Sequence, residues 1–299
     1  MKPTHSIAIG AFALLAPLLT VQAQTTKDGT RLEWRNELTV VPNTIKVNKV
    51  EHPGHTISIF EADASTALDL WKADYTPIST GITGKPLRAL NVRLPEVSEQ
   101  PIVVFAAAST EKKAGLAKLT LAFMENDSTP LADNGAQAAA ARELAVRLNK
   151  AVVQRQIDRY QKELDKVSEK HGGSQADVAK AQSKVTKANN ALEKAKAKRA
   201  KIEQNNARLH GEIAGLERKF ALSNDPKDLK KLTKVRSKLA KNESGQAKLM
   251  AQEAKLQGTA NKHQSSAQSH SSKADSHAES KEGLTRIVSE LKRKQDNIR

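Results

Sequence analysis

His263, His270 and His277 recur every seven residues, and His171 sits on the same periodicity in the stretch before them. Seven residues make two helical turns, so the rings would stand roughly 10.5 Å apart along one face. That is too far for one chelate. A metal site would need His171 to face His277, or a second chain, so the expectation is no metal and no cofactor. Protonation near pH 6 would place charges along such a line and loosen whatever packs on it. The plainest reading is a seam of small residues that tolerates histidine.

Lysine and arginine offer a second chemistry. Lys194, Lys196, Lys198 and Lys201 form one cluster. Lys227, Lys230, Lys231 and Lys234 open another, which Arg236, Lys238 and Lys241 extend. Residues 194–255 hold 17 Lys+Arg against 7 Asp+Glu. The bland account is a solvated helical surface. The sharper one is a site for an anionic partner: lipid headgroups, an acidic envelope polymer or an acidic protein. No aromatic residue interleaves the lysines, so base stacking is not expected and nucleic acid is a less natural target.

Catalytic signatures are missing. Gly81-x-x-Gly84-Lys85-Pro86 lacks the spacer and the hydroxyl residue of a phosphate loop. His52-Pro53-Gly54-His55 reads as a Pro-Gly turn carrying two solvated histidines. Nucleophile-elbow, zinc-protease and dinucleotide motifs do not occur. With no cysteine in the chain, thiolate metal sites and thiol nucleophiles are excluded.

The elements that must position these groups follow from pattern. Residues 1–23 read as a cleavable signal peptide: Lys2, an apolar run from Ile7 to Leu19, and small residues at Val21 and Ala23. The rest is expected to be exported and soluble, periplasmic or extracellular. Residues 24–135 read as a small α+β domain. Strands are expected over 56–60, 90–94, 102–105 and 117–123, although 112–125 also admits a helix. Asp63 or Ser65 would cap a helix with Ala67, Leu70, Trp71 and Tyr75 on one stripe.

From about residue 136 the composition turns to Ala, Lys, Glu, Gln and Leu. Apolar and small residues then step by three and four from Ile157 to Phe220, and again from Leu232 to Ile298. Ser223-Asn224-Asp225-Pro226 separates the two runs, with Asp225 and Pro226 suited to N-cap and N1. The reading is a basic antiparallel coiled-coil hairpin over 136–299, its helices spanning about 136–221 and 227–299. A reversal near Asn224 sets Asn206 opposite Asn242 and His171 opposite His277, and brings Arg199 near Glu253. Two buried asparagines at one level would hold the register. The alternative is a three-helix bundle broken at Gly172-Gly173, since paired glycines cost about 2 kcal/mol in a helix. Residues 257–283 hold almost no large apolar seam residue.

Charge divides unevenly. Residues 1–135 carry 13 Lys+Arg and 14 Asp+Glu; residues 136–299 carry 36 and 19. The functional expectation is an exported, non-enzymatic interaction protein of the cell envelope. Its globular domain docks or oligomerises, and its basic arm meets an anionic component, an acidic protein or a membrane periphery. In architecture and charge the chain also resembles the helical-armed periplasmic chaperones, which implies a holdase as the alternative. An enzyme with an unrecognised site in residues 30–135 is the third reading.

Overall fold

The computed structural model describes residues 25, 26, 28–132 and 135–299, so the signal-peptide reading lies outside the described residues. The chain divides into two compact units. One comprises the described residues up to Gln161 together with Arg286–Arg299; the other is Lys162–Thr285.

The first unit is built on a six-stranded antiparallel sheet. Its strands are β1 (Val40–Val47), β2 (Val50–Phe60), β3 (Gly81–Thr83), β4 (Leu87–Val92), β5 (Ile102–Glu111) and β6 (Leu116–Met124). They lie side by side in the order β1-β2-β6-β5-β4-β3. Residues 116–124 are therefore strand, and the helical alternative for that segment is not taken up. Strands β1 and β3 escape a sequence reading. Strand β1 alternates weakly, and its hairpin turn is Asn48-Lys49, both at positive φ (49° and 69°). That is the geometry of a tight hairpin, obtained here without the usual glycine.

Helix α1 (Ala64–Tyr75) begins where Asp63 accepts a hydrogen bond from the Thr66 amide, 2.8 Å away. Ala67, Leu70, Trp71 and Tyr75 form its buried stripe, as their spacing predicts. The helix covers β5 and β6. Ile57, Ile59, Val104, Leu119 and Leu121 are buried in the same unit. Burial pushes the Tyr75 hydroxyl above its usual range.

The opposite face of the sheet carries its own cluster: Ile45, Val47, Phe105, Ala122 and Met124, with Val103 and Ala107 packed against it. Strand β1 is not a sheet neighbour of β5, so the sheet must coil to bring Ile45 onto Phe105. Gly54 allows this. A Cβ on Gly54 would lie 2.2 Å from the Leu121 carbonyl oxygen, so only glycine fits where β2 bends over β6.

This corrects the reading of His52-Pro53-Gly54-His55. The segment is no solvated turn. It lies within β2, and both histidines are 6% exposed. The reversal falls earlier, at Asn48-Lys49, so the Pro-Gly pair kinks a strand instead of ending one.

Two long helices follow: α2 (Ala136–Ser223) and α3 (Pro226–Asp296). Helix α2 runs unbroken through Gly172-Gly173. The break proposed for a three-helix bundle is therefore absent, and two helices pack on each other. The first turns of α2 belong to the sheet-bearing unit and bury Ala141, Leu144, Ala145, Leu148 and Val152. Asn149 completes the edge of β2 beyond the end of β1. It accepts from the Phe60 amide at 2.9 Å and donates to the Ser58 carbonyl at 3.0 Å. Arg147 grips Asp74 of α1 through two hydrogen bonds of 3.1 and 3.0 Å.

The end of α3 closes the same unit. Lys294 is 1% exposed and donates to both carboxylate oxygens of Glu61, at 2.8 and 2.9 Å, and to the Arg31 carbonyl at 2.7 Å. Gln156 donates to the same carboxylate. Nearby, Asp28 accepts from Thr26, Arg159 and Tyr160. The Thr26 hydroxyl, followed by Tyr160 and Thr30, holds the Asp28 carboxyl below the usual carboxylate range against the opposing effect of burial.

Candidate functional site

The second unit, Lys162–Thr285, contains every basic and histidine candidate. Its scaffold is the seam. The residues from Leu164 to Phe220 that step by three and four are all buried or half-buried, while almost every residue between them is exposed. The same holds on α3 from Leu232 to Leu284, with Lys281 the exception. Cross-helix contacts lie within a turn of the expected pairing. Arg199 donates from Nε to Glu253 Oε1 at 3.0 Å, and from Nη1 to Glu203 at 2.9 Å. Asn206 is buried, and its Nδ2 donates to Gln246 Oε1 at 3.3 Å, one turn along α3 from half-buried Asn242. Its own Oδ1 is buried without a partner among the described residues.

His171, His263, His270 and His277 are half-buried along this seam. Among the described residues no hydrogen bond joins one of them to another. His171 Nε2 lies 3.3 Å from Gln175, one turn along its own helix, and His270 Nδ1 lies 4.0 Å from Asp177 across the seam. Among the described residues no group of three or more His, Asp or Glu could hold a metal ion. Alternating with His263, His270 and His277, the buried seam residues are Ala260, Ala267 and Ala274. Methyl side chains remove little apolar area from water, so this stretch gains little from packing. Amide exchange over residues 257–283 should therefore run faster than around Leu209 and Leu232, which bury full leucines. Equal protection in the two regions would overturn this.

The basic residues face outward. Lys194, Lys196, Lys198 and Lys201 are exposed on α2, and among the described residues Lys196 alone of the four pairs with a carboxylate, Glu193. On α3 all seven basic residues from Lys227 to Lys241 are exposed. Two are engaged: Arg236 pairs with Glu217 at 2.6 Å, and Lys231 lies 3.7 Å from Asp228. Lys230, Lys234, Lys238 and Lys241 share one open face of α3 with Pro226 and Leu229. None of these four lysines has a carboxylate within ion-pair distance among the described residues.

The reversal is built as its residues suggest. Asn224 takes the left-handed conformation (φ 56°). Asp225 accepts from the Lys227 amide at 2.8 Å, which caps α3 ahead of Pro226. The second carboxylate of the turn, on Asp228, is buried and lies 3.7 Å from Lys231. The feature missed by sequence reasoning is apolar. Leu222 is 90% exposed and Leu229 is 47% exposed, one on each side of the turn. Their signal was present: each falls off the seam periodicity. Among the described residues no helix is long and apolar enough to cross a membrane. The chain matches no protein-family model and no curated protein.

Proposed function

We propose that this is an exported, non-enzymatic interaction protein, with helices α2 and α3 acting as an antiparallel coiled-coil hairpin that presents a basic face to an anionic partner. One observation carries the reading. Lys230, Lys234, Lys238 and Lys241 line one exposed face of α3, with no ion pair among the described residues, beside a turn in which Asp225 caps the helix and Asp228 is buried. A charged surface that serves only solubility intersperses both signs. Here nine Lys and Arg between residues 218 and 242 stand against two Asp.

The probe is a soluble polyanion. The full-length chain should bind immobilised heparin, with log affinity falling linearly against log salt concentration. Lys230→Gln/Lys234→Gln/Lys238→Gln should elute at clearly lower salt. Elution of wild type and triple variant at the same salt would refute the basic face as the binding site.

A further inference from the structure

We infer that the turn between α2 and α3 docks on the surface of an anionic phospholipid bilayer, with Leu222 entering the interfacial layer and the lysine face of α3 lying against lipid phosphates. This rests on the anionic-partner reading and names the partner.

Exposed apolar side chains gather at this turn. Of the five large apolar residues exposed among the described residues, Leu222 and Leu229 flank this one turn. Leu222 is almost wholly in water in the last turn of α2, where neither the seam nor the cap needs it. At the point of chain reversal, Leu222 is the most exposed of these five side chains. An acidic polymer in water offers it nothing to enter, whereas a bilayer interface does.

The polar side fits the same partner. From Lys230 to Lys241 the face extends roughly 16 Å along the helix axis. Its cations are all lysines, with Thr233 and Ser237 between them. Lysine is a flexible point charge, suited to a plane of mobile phosphates; fixed bidentate recognition of a carboxylate or phosphate favours arginine. The arginine in this stretch, Arg236, is occupied by Glu217. Arg218 and Lys219, exposed on the last turns of α2, add positive charge beside Leu222. Asp225 accepts from the Lys227 amide and Asp228 is buried beside Lys231, so the lysines stand further out than either carboxylate.

The test uses the full chain and vesicles of phosphatidylcholine, with and without one-quarter phosphatidylglycerol. The chain has no cysteine, so Leu222→Cys gives a unique attachment site for an environment-sensitive dye, and Ser271→Cys gives a control on α3. The chain should float with the anionic vesicles and not with the neutral ones. The dye at position 222 should shift to the blue and be quenched by spin-labelled acyl chains, while the dye at 271 should not. Lys230→Gln/Lys234→Gln/Lys238→Gln should weaken partitioning about a hundredfold, at one lysine's worth of surface attraction each. Leu222→Ser should weaken it about tenfold without changing its salt dependence. Binding to heparin without flotation on anionic vesicles would overturn the lipid assignment while leaving the basic face standing. Flotation with no dye response at 222 and no loss in Leu222→Ser would refute insertion. Failure on both heparin and vesicles would refute both readings.

Discussion

Gly54→Ala should destabilise the sheet-bearing unit by about 3 kcal/mol, the upper end for overpacking. A Cβ at this position meets the Leu121 carbonyl oxygen at 2.2 Å. The obstacle is backbone in the neighbouring strand, so no side-chain rotation relieves it. To make room, β2 must move off β6. That opens the bend through which Ile45 and Val47 reach Phe105, Ala122 and Met124. Gly81, whose Cβ would meet nothing within 4 Å, is the matched control. Gly81→Ala should stay within about 0.5 kcal/mol of wild type. Both tryptophans, Trp34 and Trp71, lie in this unit, so urea unfolding followed by their fluorescence reports on it alone. Equal midpoints for the two alanine variants would refute the role assigned to Gly54.

Lys294→Met should cost about 3 kcal/mol in the same assay, because it strips a largely buried carboxylate of its cation. Among the described residues Glu61 would keep the Gln156 amide as its one side-chain donor, and the Arg31 carbonyl would lose the Lys294 ammonium. Burial lowers the pKa of Lys294 despite the neighbouring carboxylate. Taking two charges out of water can cost more than their mutual attraction returns. Removing both charges at once should be milder than removing one. Glu61→Gln/Lys294→Met keeps an oxygen for Gln156 and should recover most of the loss. A double variant no more stable than Lys294→Met would show that the methionine fits badly, and that the charge pair is not the cause.

What the sequence could say followed from periodicity. A step of three and four residues, held from Leu164 to Phe220 and resumed at Leu232, puts the small and apolar seam residues on one stripe of each helix. Helices, seam, reversal at Asn224 and the Arg199–Glu253 pair were all legible from it. Gly172-Gly173 did not break the helix, because the local penalty of about 2 kcal/mol is outweighed by a register that continues unshifted on both sides. The stripe of α1 was legible for the same reason, as was the cap at Asp63.

The sheet was only half legible. A strand alternates clearly when one face is wet, but this sheet coils and buries parts of both faces, so β1 reads as noise and His52-Pro53-Gly54-His55 reads as a turn. The bend at Gly54 depends on the backbone of a strand more than sixty residues away. The Lys294–Glu61 pair likewise joins the last turns of α3 to the end of β2, and nothing in the local pattern of either segment announces it. Leu222 lies between these extremes. Its departure from the seam is written in the sequence, but only the folded turn decides that such a residue is left in water.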